Sequence, residues 1–203
     1  MKALDLFCGA GGASMGLHRA GFDVVGVDIA PMPEYPFEFV RGDATRPPVK
    51  IAAFDFVWAS PPCQCFSIAA RRWKNAGKDY PDLVATTRAM LEAAGVPFVL
   101  ENVRGAPLRA DLVLSGGMFG RNIKRDRIFE THGFRTERPK MRKAREPLCT
   151  VAGHGGNSRT YKLGDWKEAM GIDWMSRDRL TQAIPPDYSE YIAREFLRTG
   201  VCA

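Results

Sequence analysis

Short apolar runs alternate with amphipathic stretches through the first half of the chain. The runs are rich in β-branched and aromatic residues and predict strands, whereas the stretches between them carry apolar residues at helical spacing. This rhythm is typical of an α/β fold with a mostly parallel central sheet and helices on both faces. The predicted strands are Ala3–Phe7, Asp23–Asp28, Phe54–Ala59 and Pro97–Asn102, and the predicted helices are Ala13–Ala20 and Pro81–Ala94.

From Arg104 onward this pattern weakens, because glycine, proline and basic residues become frequent. We predict a surface loop or flexible basic arm over about residues 132–146, and three further helices near the end of the chain. The cations of the arm are Arg135, Arg138, Lys140, Arg142, Lys143 and Arg145. The helices are Asp165–Met170, Ser176–Ala183 and Ser189–Arg198.

Length and composition narrow the class of protein. With 203 residues and 45% apolar content, the chain is expected to form a single domain over residues 1–203. Its five cysteines are scattered and include no CxxC pair, so we expect neither a disulfide framework nor a metal site, and a reducing cytoplasmic setting. No run of eighteen apolar residues and no leader pattern occurs, which argues against membrane spanning and secretion.

The net charge of +6 and the pI near 9.2 favour a polyanionic partner without establishing one.

A glycine-rich turn, Asp5–Gly12, lies between the first predicted strand and the first predicted helix. Glycines 9, 11 and 12 allow positive φ and close approach of the backbone to a ligand, although a plain tight connection has the same composition. Asp28 ends the second strand, where a carboxylate commonly binds ribose hydroxyls, and Asp43 could bind an adenine amino group. Because no Walker-type lysine is present, an adenosine without phosphates is the preferred ligand.

A nucleophilic thiol and a carboxylic acid form a second candidate constellation. Cys63 lies in Ser60-Pro-Pro-Cys-Gln-Cys-Phe-Ser67, and Glu101 begins a Glu-Asn-Val triplet that follows an apolar run. A cytosine ring becomes nucleophilic at C5 once a group adds to C6, and a thiolate suits that addition. An acid at the N3/N4 edge would assist by withdrawing electrons. We therefore predict Cys63 as the nucleophile, with a lowered thiol pKa, and Glu101 as the acid.

Each of these residues also has a simpler interpretation. Cys63 could be a buried structural thiol, and Cys65 is a minor alternative nucleophile. Glu101 could be a solvated strand end, and the alternating pair Arg125 and Arg127 could form surface salt bridges. His154 could contact phosphate or merely occupy a turn.

Taken in order along the chain, these motifs resemble the DNA cytosine-C5 methyltransferase family. The resemblance spans residues 3 to about 197. It is carried by Asp5–Gly12, Asp28, Asp43, Pro62-Cys63-Gln64, Glu101-Asn102-Val103, Arg125-x-Arg127 and Ala183-Ile-Pro-Pro-Asp-Tyr-Ser-Glu-Tyr191.

The resemblance implies a Rossmann-like S-adenosylmethionine-dependent methyltransferase fold. It implies that Cys63 is the covalent nucleophile, that Glu101 contacts N3 and the exocyclic amine of a flipped cytosine, and that Arg127 orients base and acid. Asn102 belongs to the same catalytic set, and Arg125 would support the loop or a phosphate. The residues expected at the cofactor are Phe7, Gly9, Ala10, Gly11, Gly12, Asp28, Ile29, Asp43, Pro62, Tyr188 and Ser189.

The main departure from the family lies in the space for a target recognition domain. Only about twenty residues separate Arg127 from the segment at Arg145, so we expect duplex DNA as the partner but weak or short-context sequence specificity. RNA or a free cytosine nucleotide as substrate, and a catalytically silent DNA-binding protein, remain alternatives. A phage or mobile element acting in a host cytoplasm would suit such an enzyme, and the sequence leaves the oligomeric state open.

Overall fold

The computed structural model describes residues 1–63, 82–140, 149–151 and 161–199. Within them, seven strands form one sheet: β1 (Lys2–Leu6), β2 (Asp23–Asp28), β3 (Glu38–Arg41), β4 (Phe56–Ala59), β5 (Phe98–Asn102), β6 (Leu112–Leu114) and β7 (Arg127–His132). The α-helices are α1 (Gly12–Arg19), α2 (Val84–Ala94), α3 (Leu163–Met170), α4 (Arg177–Gln182) and α5 (Pro186–Thr199). Short 3₁₀ turns cover Ile51–Ala53 and Gly116–Phe119.

The strand order places the carboxyl ends of the parallel strands at one edge. The order is β3-β2-β1-β4-β5-β7-β6, in which β1 to β5 pair in parallel and β7 runs antiparallel to β5 and β6. The chain therefore changes direction across the sheet between β1 and β4, and ligands of such sheets bind outside the carboxyl ends at that point. The predicted α/β fold with a mostly parallel sheet is confirmed.

Apolar layers cover both faces of the sheet. Because successive strand side chains point to opposite faces, Trp58 packs on the side of α1 and α5, whereas Val57 packs on the side of α2. Helices α1 and α5 approach closely, since a Cβ atom at Gly16 would clash with the Pro186 carbonyl and the Ser189 hydroxyl. Both faces are thus buried, which explains the nearly continuous apolar strands.

The predicted elements agree with the structure to within about three residues at their ends. The pattern supplies no bounds for β3 and does not predict β6 or β7. Strand β7 does not appear as an apolar run because it contains the charged residue Glu130, which is nevertheless only 1% exposed. Its carboxylate accepts hydrogen bonds from Nε and Nη2 of Arg88 at 2.9 and 2.8 Å. Helix α5 begins at Pro186 rather than Ser189, in keeping with the preference of proline for a first helical turn.

The predicted surface loop or basic arm over about residues 132–146 is described only in its first part. His132 is the last residue of β7, and the described part that follows, residues 133–140, lies along α5. Tyr191 Oη donates to the Glu137 carbonyl at 2.7 Å, and Thr199 Oγ1 donates to the Arg135 carbonyl at 3.1 Å. This portion is therefore a surface segment attached to a helix, while residues 141–146 lie outside the described residues.

Candidate active site

A cleft of about 410 Å³ opens at the carboxyl edge of the parallel strands. That volume falls in the range of small-molecule sites, roughly 300–1,000 Å³. The turn after β1 and the ends of β2 and β3 form one side, the end of β5 and the loop after β4 form the other, and α4 closes it. The predicted site residues that line the cleft are Phe7, Gly9, Ala10, Gly12, Asp28, Ile29, Asp43, Pro62, Cys63, Glu101, Asn102 and Arg127.

The glycine-rich turn bends sharply before α1. Phe7, Gly9 and Gly11 all have positive φ, at 58°, 51° and 85°. The left-handed conformation at Phe7 is uncommon for a residue with a Cβ atom, and such backbone strain concentrates at functional sites. Gly12 is needed for packing, because a Cβ atom there would lie 2.7 Å from the Ile184 carbonyl oxygen.

The carboxylate of Asp28 joins the end of β2 to this turn. Its Oδ2 accepts from the Gly9 N–H and its Oδ1 from the Ala30 N–H, both at 3.0 Å. Asp43 lies at the cleft margin, where its Oδ1 accepts from the N–H and hydroxyl of Thr45. Between them Ile29 is 69% exposed, so an apolar side chain is available to a flat ligand at the predicted adenosine end.

Asp5, at the start of the glycine-rich segment, is a buried carboxyl group of β1 to which the sequence assigned no individual role. It is 0% exposed, lines the cleft, and accepts a hydrogen bond from Ser14, whose hydroxyl lies 2.8 Å from Tyr35 Oη. The Oδ1 atom has no hydrogen-bond partner among the described residues. Burial raises the pKa of Asp5 from 3.8 to about 7, although the Ser14 hydrogen bond opposes that rise.

Asp5→Asn should remove a pH-dependent loss of stability from the ligand-free protein. Because the pKa is 3.8 for the ordinary group and about 7 in the folded protein, burial of Asp5 carries no charge penalty below the unfolded value, and the penalty grows as pH rises from there to about 7, above which it is constant. The variant should therefore gain about 2 to 3 kcal/mol in unfolding free energy, relative to wild type, between about pH 5 and pH 8. Urea unfolding of both proteins at pH 5 and pH 8 measures this change. If the unfolding free energies of Asp5→Asn and wild type differed by the same amount at the two pH values, the prediction would be contradicted.

Cys63 lies in the loop after β4, and Asn102 of the neighbouring strand β5 anchors that loop. Asn102 is 1% exposed, and its Nδ2 donates to the Pro61 carbonyl at 2.9 Å while its Oδ1 accepts from the Val103 N–H. Cys63 itself is half-buried in the cleft. Asn102 is therefore a positioning residue that fixes the backbone two residues before the thiol.

Glu101 and Arg127 form an ion pair inside the cleft. Arg127 Nε lies 2.9 Å from Glu101 Oε1, and both side chains are largely buried. They come from the antiparallel neighbours β5 and β7, whose register sets Glu101 beside Phe129 and so brings Arg127 within reach. The simpler interpretations, a solvated strand end for Glu101 and a surface salt bridge for Arg127, do not describe these side chains.

The expectation of a lowered thiol pKa is wrong for the ligand-free site. Burial, and then the Glu101 carboxylate, raise the pKa of Cys63, and the opposing effect of Arg127 and Arg125 is smaller. The sequence indicates a cation such as Arg127 near Cys63, but it does not show that the thiol is removed from water. Cys63 is therefore mainly a neutral thiol near neutral pH in the ligand-free site. Because the thiolate is the reactive form, ligand binding must lower this pKa or remove the proton from the thiol.

Four predicted residues do not line the cleft: Gly11, Arg125, Tyr188 and Ser189. Arg125 is buried and donates to the carbonyls of Val151 and Thr181 at 2.9 and 2.7 Å, which leaves it a role in supporting loops rather than binding phosphate. Burial lowers its pKa to about 9. Tyr188 Oη donates to the Arg125 carbonyl, and Ser189 Oγ donates to the Ala13 carbonyl. These residues stabilise the segments that line the cleft without lining it themselves.

Helix α4 supplies cleft residues that sequence reasoning missed: Arg179, Thr181 and Gln182. The only sequence feature that could have indicated them is that they directly precede the Ala183–Tyr191 motif. Among the other candidates, Cys65, His154, Arg142, Lys143 and Arg145 lie outside the described residues, as does Pro81.

The described residues contain neither a membrane-spanning helix nor a metal-binding cluster. No helix among them is long and apolar enough to cross a membrane. Nor do these residues contain a group of three or more His, Cys, Asp or Glu side chains that could hold a metal ion.

Comparison with known proteins matches the first half of the chain to one family model. Residues 1–109 match the model for C-5 cytosine-specific DNA methylases. The chain is 34% identical over 126 residues to the Type II methyltransferase M.AquIA of Picosynechococcus sp., covering 51% of this chain and 49% of that protein. It is 36% identical over 120 residues to the Type II methyltransferase M.XorII of Xanthomonas oryzae pv. oryzae, covering 50% and 28%. The chain thus spans about half or less of the length of these two relatives.

Among solved structures, a DNMT2 mutant from Spodoptera frugiperda is similar, with a TM-score of 0.43 and 20% identity over 73% of this chain and 54% of that one.

Proposed function

This chain belongs to the C-5 cytosine-specific DNA methylase family, and from that premise we propose that it transfers a methyl group from S-adenosylmethionine to C5 of cytosine in duplex DNA. One observation carries the proposal: Cys63, the Glu101–Arg127 pair and the glycine-rich turn line a single cleft. A nucleophile, an acid and an adenosine-type turn in one cavity are the parts that the reaction requires.

The residues present fit a sulfonium cofactor with an adenosine end. Asp28 and Asp43 offer carboxylates to ribose and adenine, Ile29 offers an exposed apolar contact, and the orphan Oδ1 of Asp5 offers an acceptor to a cationic donor. When bound, the cofactor would supply an electrophilic methyl group. The glycine-rich turn would place it on the side of the cleft opposite Glu101.

The proposed chemistry uses three side chains. The Cys63 thiolate forms a bond to C6 of cytosine, and Glu101 donates a hydrogen bond or proton to N3, so that the electron pair of the C5–C6 double bond becomes available at C5. Arg127 orients the Glu101 carboxyl group during this step. After methyl transfer, loss of the C5 proton to a base or water restores the double bond, and the Cys63–C6 bond breaks to release the thiolate.

The position of Cys63 implies that the target base leaves the helix. The thiol is half-buried within the cleft, and a base stacked in a duplex does not present its ring atoms to such a recessed group. Enzymes that act on a ring atom solve this by rotating the nucleotide into the pocket.

We propose low or short-context sequence specificity within this family. Between β7 and α3 the chain has only residues 133–162, of which residues 133–140 contact α5 through Arg135 and Glu137 and expose Arg135, Arg138 and Lys140. Exposed cations of this kind suit contacts to phosphates, which position DNA without reading bases. Binding governed by such contacts should weaken steeply as salt rises.

Nucleoside mass spectrometry tests the proposal directly. Purified protein and S-adenosylmethionine are incubated separately with unmethylated duplex DNA, transfer RNA and free dCMP. We expect 5-methylcytosine in DNA, spread over many sequence contexts. Product confined to RNA or dCMP would overturn the assigned substrate, product in DNA at a single long site would overturn the low specificity, and no product in any arm would contradict the activity of this chain alone.

A further inference from the structure

Arg179 is an unpaired cation inside the cleft. Its side chain is half-buried and lines the cavity, yet it makes no hydrogen bond, ion pair or ring contact within the described part of the chain. Every other arginine that is buried or half-buried among the described residues has a partner. These are Arg88, Arg121, Arg125, Arg127 and Arg177. A partly desolvated guanidinium without a partner calls for an anionic ligand.

The helix that carries Arg179 is anchored beside the glycine-rich turn. Trp174 Nε1, just before α4, donates to the Ala10 carbonyl at 2.9 Å. After Arg179, the Thr181 carbonyl accepts from Arg125 at 2.7 Å, and the Ile184 carbonyl packs on Gly12. None of these contacts involves the Arg179 side chain, so the guanidinium is available for binding while the helix is held independently.

The charges around the cleft restrict what the anion can be. Four of the lining side chains are carboxyl groups, Asp5, Asp28, Asp43 and Glu101, and Arg127 is already paired with one of them. Among the described residues, the positive features left at the cleft are Arg179 and the N-terminus of α1, which has no acidic residue in its first turn. Helix α1 begins at the glycine-rich turn, and the segment that carries Arg179 is tied to the same turn through Trp174 and Ala10 and through Ile184 and Gly12.

We propose that Arg179 binds the carboxylate at the amino-acid end of the cofactor. That carboxylate is the one negatively charged group of S-adenosylmethionine, and the ligand itself follows from the proposed function. Arg179 thereby acts as a positioning residue, because a fixed amino-acid end limits where the sulfonium methyl group can lie relative to C5.

A ligand-and-variant cycle tests this without requiring turnover. The probes are S-adenosylhomocysteine and its decarboxylated analogue, measured by calorimetry with wild type and Arg179→Gln. For wild type we expect the analogue to bind about ten- to one-hundred-fold more weakly than S-adenosylhomocysteine. Arg179→Gln should weaken S-adenosylhomocysteine by a similar factor and leave the analogue unchanged. Arg179→Lys should give an intermediate loss, since lysine keeps the charge but not the two-pronged contact.

Arg194→Gln is the matched control, because Arg194 lies on the outside of α5 in an exposed pair with Glu190 and should not alter either affinity. Equal weakening of both probes by Arg179→Gln would overturn the proposal in favour of a structural role. Unchanged cofactor affinity with weakened equilibrium binding of duplex DNA would assign the arginine to a phosphate instead and would also overturn the proposal. If wild type bound neither probe, the cofactor itself would be wrong, a result distinct from failure at Arg179.

Discussion

Cys63→Ala should abolish methyl transfer while leaving S-adenosylhomocysteine affinity within about twofold of wild type. Without the thiol no bond to C6 can form, so turnover should fall by more than about 10³-fold. The cofactor side of the cleft is built from the glycine-rich turn, Asp28 and α4, none of which depends on the Cys63 side chain. Radiolabelled methyl transfer and calorimetry measure the two quantities separately.

Trapping of the adduct makes the same prediction more specific. A duplex containing 5-fluorocytosine has no C5 proton to lose, so the bond from Cys63 to C6 should persist through denaturing electrophoresis with wild type and be absent with Cys63→Ala. Cys149→Ala is the control, because that thiol is buried in the cluster around Trp166, away from the cleft lining, and the variant should still form the adduct. Methylation retained by Cys63→Ala would assign the reaction to another group, and Cys65→Ala would then test the neighbouring thiol.

The parts of this site that the sequence predicts are those set by local pattern. Buried strands such as Phe56–Ala59 and Phe98–Asn102 appear as apolar runs, and in a parallel sheet their carboxyl ends meet at one edge. Asp28, the last residue of β2, and Cys63, in the loop that follows β4, therefore fall in one cleft. Glu101 is predicted for the same reason, since it lies at the carboxyl end of β5, the buried strand that neighbours β4.

The parts that escape prediction depend on contacts between distant segments. Arg179 reaches the cleft because Trp174 binds the Ala10 carbonyl, a contact between residues 164 positions apart. The Asp5–Ser14–Tyr35 chain likewise joins a strand, a helix and a loop. No local periodicity reports such pairings, and a lone acid within an apolar strand looks like any other strand residue.

Desolvation is the second quantity hidden from the sequence. Arg127 next to Cys63 suggests a stabilised thiolate, yet burial and Glu101 outweigh it and raise the pKa of the thiol. The same cause raises the pKa of Asp5 to about 7. Charge partners can be guessed from motifs, whereas the degree of burial requires the packed structure.

Glu101→Gln should lower kcat by about 10² to 10⁴-fold with little change in cofactor affinity. Glutamine keeps the size of the side chain and can still hydrogen-bond, but it cannot deliver a proton to N3 when C6 is attacked. The variant also leaves Arg127, which is 14% exposed, without its ion-pair partner, so a moderate loss of stability is expected. Single-turnover kinetics, with S-adenosylhomocysteine affinity and urea unfolding measured in parallel, separate the chemical effect from the structural one.

Glu190→Gln provides the matched control, because Glu190 pairs with Arg194 on the exposed side of α5 and should leave kcat unchanged. The decisive comparison is with Arg127→Gln. If Arg127 acts by orienting the Glu101 carboxyl group across the 2.9 Å contact, then its loss should reduce kcat by less than Glu101→Gln does, and the double variant should lose no more than Glu101→Gln alone. Additive losses would mean that Arg127 contacts the base independently, and an unchanged kcat in Glu101→Gln would remove the acid from the mechanism.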